Sequence, residues 1–293
     1  GGGFGRRSMP DAAAEVAAIA ARIDRPVKLV WSREDDTRHD YYRPAMAGQL
    51  RATVAEDGSV SGWRHRIVGP SIMQQIIPEM GGVLMPGWVP GGVLDFAGKW
   101  AGREDKASVE GARELPYLYD GIEVQYRNLS TPVPLGYWRS VGHSHTAFVV
   151  ESFVDELAAA AAEDPLAFRL RHLHTDSRER RVLEEVARMA RWGKPPEGRF
   201  HGVAVHESFH SVVAEVAEIS LAGGKLRVER FFCAVDCGLV VNPDIARDQI
   251  EGGVAFALAA ALHGEITLER GAVAQGNFHD YPVLRHEDRK SVV

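Results

Sequence analysis

The feature that most constrains this chain is a change of hydrophobic period along its length. Leu50, Ala52 and Val54 alternate with polar residues up to Asp57-Gly58, and Val60, Trp63, His65 and Ile67 return on the other side. Asp-Gly between two alternating runs predicts a hairpin. Period two returns in residues 202–206, 212–221 and 226–235, with Ala222-Gly223-Gly224 as the turn between the last two. Between these blocks the period is helical. Helices are predicted over residues 147–162, ending near Asp164-Pro165, over 165–174 and over 178–192. Strands and helices gathered into separate runs predict an α+β fold with mixed or antiparallel sheets and packed helices. Residues 193–198 read as a linker. The expected organisation is a first segment over 1–160, a helical connection over 161–195 and a second segment over 196–293.

The remaining stretches are read the same way. Asp11 is the expected N-cap of an alanine-rich helix over residues 11–23, which Pro26 ends. Residues 27–31 read as a short buried strand, so the start of the chain suggests an α/β unit. Residues 70–102 are rich in Gly, Pro, Met and Trp without a clear period, and predict an ordered but irregular loop. Asn242-Pro243 caps a helix expected to run to about Leu262. Residues 263–268 and 272–275 suggest a last hairpin around Arg270-Gly271.

Composition excludes some roles. The 293 residues carry a formal charge of −6, which argues against a general nucleic-acid surface. No apolar run approaches the ~20 residues of a membrane span. The two cysteines, Cys233 and Cys237, are too few to hold an iron–sulfur cluster or close a zinc site, and read as buried free thiols. His201, His206 and His210 read as structural rather than metal-binding. The chain opens on Gly1 with no secretory region in front of it, so it is expected to begin inside a longer product. Its compartment is unread.

Three motifs carry possible chemistry. Gly1-Gly2-Gly3-Phe4-Gly5 lets backbone approach a ligand closely, or makes an ordinary tight turn. It lacks the context of a Rossmann fingerprint or a P-loop. In the second motif, residues 134–144, Arg139 sits among Tyr137, Trp138, Ser140 and glycines. It suits either a buried anion or stacking on an aromatic ring. In the third, Asp236-Cys237-Gly238 and Asn242-Pro243 are turn and cap signals, followed by Gln249-Ile250-Glu251-Gly252-Gly253. Gln249 can bind a neutral polar group or lie on a helix surface.

The order of these motifs resembles the molybdopterin-binding large subunits of the xanthine dehydrogenase/aldehyde oxidase family, in particular the β-subunits of isoquinoline 1-oxidoreductase-type enzymes. Residues 25–35 (RPVKLVWSRED), 151–157 (ESFVDEL), 164–170 (DPLAFRL) and 277–285 (NFHDYPVLR) extend the likeness over nearly the whole chain. The resemblance implies two molybdenum-cofactor-binding segments and a molybdenum–molybdopterin cofactor, commonly the cytosine dinucleotide form in bacteria. Gly2, Gly3, Phe4, Gly5, Arg139, Ser140 and Gln249 are the cofactor-binding residues it implies. It also implies hydroxylation of an N-heterocycle or aldehyde carbon with water as oxygen donor, and a small partner subunit carrying [2Fe–2S] clusters. Ser140 stands where carbon monoxide dehydrogenases of the family place a copper-binding cysteine, which disfavours that chemistry. The family's glutamate base belongs to a Gly-Glu-Pro stretch expected beyond residue 293, so no catalytic residue is assigned here and this stretch alone is expected to be inactive. The alternatives are a truncated, catalytically inert piece or a scaffold unable to retain cofactor, and an unrelated dinucleotide-dependent dehydrogenase.

Overall fold

The computed structural model describes residues 4–103 and 105–285. A 3-10 turn, Arg6–Ser8, leads into helix α1 (Asp11–Ala20). Asp11 is not the N-cap. Pro10 occupies that position, and the Asp11 carboxylate takes two hydrogen bonds from the Arg6 guanidinium, at 2.8 and 2.7 Å. Residues 27–31 are not a strand, and among the described residues the start of the chain forms no α/β unit. A strand needs a neighbour for its N–H and C=O groups, and this segment has none. Val30 is 73% exposed, and Trp31 is tied back to α1 through its indole N–H to Glu15 at 2.9 Å. Helix α2 (Arg33–Arg38) starts with a capping box between Ser32 and Asp35.

The first predicted hairpin forms as β1 (Ala47–Val54) against β2 (Val60–Gly69), antiparallel, with Leu50 opposite His65. Gly58 takes the positive φ that this turn requires. The chain then leaves the sheet through two helices where an irregular loop was expected: α3 (Ile72–Leu84) and α4 (Gly91–Arg103). Ser71 caps α3 by accepting from the Gln74 N–H. The glycines that hide the helical period serve close packing. A Cβ on Gly98 would meet the Gln74 carbonyl oxygen at 2.7 Å, and one on Gly81 would meet Leu94 at 2.7 Å. Gln75 of α3 holds the segment leading to the second motif. Its amide donates to the carbonyls of Thr131 and Val133 and accepts from the Leu135 N–H. Strand β3 (Glu123–Asn128) pairs parallel to β2, which completes a mixed sheet of order β1-β2-β3.

Three helices follow as expected: α5 (His143–Ala160), α6 (Pro165–Arg171) and α7 (Arg178–Ala190). Asp164 caps α6 with Pro165 in its first turn, and Ser177 caps α7. Helix α7 buries Val182, Leu183, Val186, Ala187 and Ala190, one stripe of a 3.6-residue period. That stripe packs on an antiparallel sheet of β4 (Arg199–Ser208), β5 (Ser211–Ala222) and β6 (Lys225–Asp236). The sheet turns Val203, Val205, Val212, Ala214, Val216, Phe232 and Ala234 into the main core, where they join Val154, Phe168 and Leu183. Glu151 of α5 lies inside this core. Its carboxylate accepts from Arg169 at 3.0 Å, the Val205 N–H at 3.0 Å and the Tyr117 hydroxyl at 2.7 Å.

Helix α8 (Pro243–Leu262) and a short hairpin, β7 (Leu268–Glu269) with β8 (Ala272–Val273), come last. The architecture is α+β with one mixed and one antiparallel three-stranded sheet. The cysteines are free, but only Cys233 is partly covered. Cys237 lies just past the end of β6 and is exposed, so the expected buried pair is not formed. Among the described residues, no helix is long and apolar enough to cross a membrane.

Candidate functional site

Residues from all three sequence motifs meet at one place. Phe4 and Gly5 both have positive φ, 47° and 117°. A Cβ at Gly5 would fall 1.9 Å from the Tyr137 carbonyl oxygen, so the first motif lies directly on the backbone of the second. Gly2 and Gly3 lie outside the described residues. The 137–142 segment is pressed from the other side as well, where a Cβ at Gly142 would meet the Ala107 carbonyl oxygen at 1.9 Å. Val141 has φ 48°, a left-handed conformation that a β-branched residue adopts only under constraint. Two side-chain donors hold its carbonyl: the Ser144 hydroxyl at 2.8 Å and Arg43 Nη2 at 3.0 Å.

Helix α8 supplies the third wall. Asn242 caps it by accepting from the N–H groups of Asp244 and Ile245. Gln249, Gly253 and Phe256 follow at helical spacing on one face. Arg139 Nη1 donates to Gln249 Oε1 at 2.7 Å, a contact between residues 110 apart in sequence. The Phe4 ring stacks on Phe256 with centroids 4.3 Å apart and planes at 7°. Trp138 meets the same ring edge-on at 5.0 Å. Among the described residues, nothing outside the helix's own backbone and the adjoining residues lies within 4 Å of a Cβ built on Gly253. The helix face therefore leaves a notch between the Gln249 amide and the aromatic cluster.

Neither sequence reading of Arg139, a buried anion or an aromatic stack, is what the structure shows: the side chain is exposed and donates to a neutral carboxamide. It faces Gln249, and Arg43 stacks over Trp138 instead, at 5.4 Å from the ring centroid. Ser140 is in the same turn, but its hydroxyl pairs with Ser144 at 2.6 Å. Sequence reasoning missed Phe256 and Arg43. Phe256 lies two helical turns after Gln249, a spacing that would have placed it on the same face. Arg43 carries no local signal. Asp236 serves the fold: it accepts from Arg178 at 2.9 Å and from the Gly238 N–H, and these hold its carboxyl down at about 2.

The notch suits a polar, planar group. One wall offers guanidinium and carboxamide hydrogen bonding, the other offers ring faces, and Gly253 leaves the space between them free of a side chain. A larger cavity of about 610 Å³ lies between α1 and residues 29–36, lined by Arg6, Met9, Val16, Leu29 and Trp31 among others. It includes none of Phe4, Arg139 and Gln249. Its Arg6 is already engaged by Asp11 and Asp40.

The histidines of the 201–210 stretch make local contacts. His201 faces Glu218 at 3.3 Å, and His206 Nε2 meets His143 Nδ1 at 2.8 Å. His210 does not share a strand face with His206, because β4 ends at Ser208 and His210 sits in the turn with φ 64°. No group of three metal-ligating side chains occurs among the described residues. Burial, with a second histidine beside each, pushes both His65 and His206 from 6.5 down to about 4. The unfolded chain therefore binds more protons as pH falls below 6.5, and stability complete above that value is lost between pH 6.5 and 4. Denaturant midpoints measured across this window are expected to fall steadily. In His206→Gln they should fall less steeply, and an equal slope would rule out a contribution from His206.

Residues 1–73 and 148–289 each match a family described as molybdopterin cofactor-binding domain. The chain is 32% identical over 299 residues to the beta subunit of the isoquinoline 1-oxidoreductase of Brevundimonas diminuta. That alignment covers 97% of this chain and 35% of the relative. One of the subunits of the nicotinate dehydrogenase of Pseudomonas putida is 27% identical, with 97% of this chain and 24% of the relative covered. The chain thus spans about a third or less of these curated relatives. The structure of quinoline 2-oxidoreductase from Pseudomonas putida 86 superposes with a TM-score of 0.76 over 100% of this chain and 60% of that one, at 13% identity, and so shares the fold. The chain belongs to the molybdopterin-binding subunits of the xanthine dehydrogenase family.

Proposed function

We propose that this chain builds part of the molybdenum-cofactor pocket of a hydroxylase large subunit, and that Gly2, Gly3, Phe4, Gly5, Arg139, Ser140 and Gln249 hold the cofactor. The observation that carries the proposal is the Arg139–Gln249 bond beside the Gly253 notch and the Phe4–Phe256 stack. The cofactor is a molybdenum–molybdopterin in its cytosine dinucleotide form, and when bound it supplies two-electron oxidation chemistry. The substrate is an N-heterocycle or an aldehyde, the oxygen comes from water, and electrons pass to a small partner subunit with [2Fe–2S] clusters. The names of the relatives, which act on isoquinoline and nicotinate, support this class.

The chain's own residues bind and orient. The remaining donors of Arg139 and the Gln249 amide fix a polar edge, while the stacked rings offer a face and the Gly5 turn holds the backbone close. Ser140, through Ser144, steadies the turn that presents Arg139. The general base is a glutamate of a Gly-Glu-Pro stretch that this sequence does not contain. Residues 1–160 and 196–293 form the two binding segments, joined by the helices of 161–195.

Metal analysis of the full-length subunit, purified with its partner, tests this. The unaltered protein is expected to carry about one molybdenum and to release cytosine nucleotide on acid hydrolysis. Arg139→Met with Gln249→Leu should lower retained molybdenum by about tenfold, the loss expected for ~1.4 kcal/mol of binding. Nicotinamide without molybdenum would overturn the proposal in favour of a dinucleotide-dependent dehydrogenase.

A further inference from the structure

Behind the Trp138–Val141 turn, on the side away from Gln249, a small cavity is lined by Arg43, Asp105, His145, Ser108, Val141 and Gly142 among others. Three of these residues carry a buried polar atom without a hydrogen-bond partner among the described residues: Arg43 Nη1, Asp105 Oδ1 and His145 Nδ1. Their other atoms are engaged. Arg43 Nη2 donates to the Val141 carbonyl at 3.0 Å, and Asp105 Oδ2 accepts from the Ser71 hydroxyl at 2.5 Å. His145 Nε2 lies 3.0 Å from the Ser108 carbonyl. A carbonyl only accepts, so Nε2 carries the proton and Nδ1 of the neutral ring is an acceptor.

The three atoms therefore present one donor and two acceptors. A single water, accepting once and donating twice, matches that set. The cavity leaves about 10 Å³ for the centre of a water molecule, room for one and no more. An anion would meet the Asp105 carboxylate, and a cation the Arg43 guanidinium. Burial pushes Arg43 down to about 10, as expected of a guanidinium that has no direct carboxylate contact among the described residues.

We propose that one ordered water bridges Arg43, Asp105 and His145, and that through it Arg43 acts as a positioning residue for Arg139. Arg43 holds the Val141 carbonyl and stacks on Trp138, so it grips both ends of the turn that aims Arg139 at Gln249. The water anchors the far side of the guanidinium to Asp105, which α3's cap residue Ser71 holds in turn. The importance of this turn rests on the proposed cofactor site, but the anchoring does not.

The test uses the full-length subunit with its partner and two readouts that need no bound molybdenum. A crystal structure that resolves solvent should show one peak within hydrogen-bond reach of Arg43 Nη1, Asp105 Oδ1 and His145 Nδ1. In Arg43→Met, amide hydrogen exchange over residues 138–142 should rise about tenfold while that of β4–β6 stays unchanged. Asp105→Asn, which keeps an oxygen acceptor, should preserve protection, and Asp105→Leu should lose it. A dry cavity, a direct Arg43–Asp105 ion pair, or exchange within twofold of the unaltered protein would overturn the proposal. If Arg43→Met does not fold, the density and the two Asp105 variants decide. A full-length protein that never carries molybdenum would refute the cofactor reading and leave these measurements standing.

Discussion

Gly5→Ala is expected to strip the cofactor from the full-length subunit while leaving the rest of the fold in place. The added Cβ would sit 1.9 Å from the Tyr137 carbonyl oxygen and 2.7 Å from its carbon, both backbone atoms that cannot rotate away. The φ of 117° at Gly5 is also one that an L-residue rarely adopts. Strain of this kind costs ~1–3 kcal/mol, and overpacking a tight contact costs a similar amount. The turn relieves both by moving off the 137–142 segment, which separates Phe4 from Phe256. Molybdenum content should fall at least about tenfold, the equivalent of ~1.4 kcal/mol. Hydrogen exchange in α7 and β5 should stay as it was. Full retention of molybdenum in Gly5→Ala would remove the glycine turn from the proposed site.

The largest loss of stability is expected at Glu151. The residue is 6% exposed, and its carboxylate serves Arg169, Tyr117 and the Val205 N–H at once, joining α5, α6, β4 and the 117 segment. Burial alone would lower the basicity of Arg169. Glu151, Tyr117 and Asp155 together hold it above its ordinary value. Burial and the neighbouring Glu151 charge likewise keep the Tyr117 hydroxyl protonated. Glu151→Ala leaves a fully buried guanidinium with the half-exposed Asp155 as its one carboxylate partner among the described residues, beside the Pro165 and Glu151 backbone carbonyls. Loss of one member of such a pair costs ~3–5 kcal/mol. Asp155→Ala removes a contact at a solvent-facing position and should cost below about 1 kcal/mol. Denaturant midpoints for the two variants check this ordering, and equal losses would show that Glu151 is not the hub.

Local chemistry made much of the fold legible. The Asp57-Gly58 hairpin, the caps at Asp164 and Asn242, the stripe on α7 and the long strands of the second sheet all follow from residues close in sequence. The misreadings share a cause. Residues 27–31 had the composition of a strand but no neighbour to pair with. Residues 70–102 looked irregular because Gly81, Gly98 and Gly102 interrupt the period, yet these glycines let α3 and α4 approach each other and β3. Composition shows that glycine is present but not what lies against it.

For the site, the sequence by itself determined the three motifs, their order and the family they belong to. It also determined that Gln249 would sit on a capped helix. Only the tertiary structure decided that Arg139 reaches Gln249 rather than an aromatic ring, that Arg43 takes the stacking role, and that Phe4 meets Phe256. The reason is physical. Caps, turns and periodic stripes are local energies, each written in a few neighbouring residues. The Arg139–Gln249 bond joins residues 110 apart, and it forms because α8, the glycine turn and the Arg43-held segment are brought to one place by packing that no single stretch encodes.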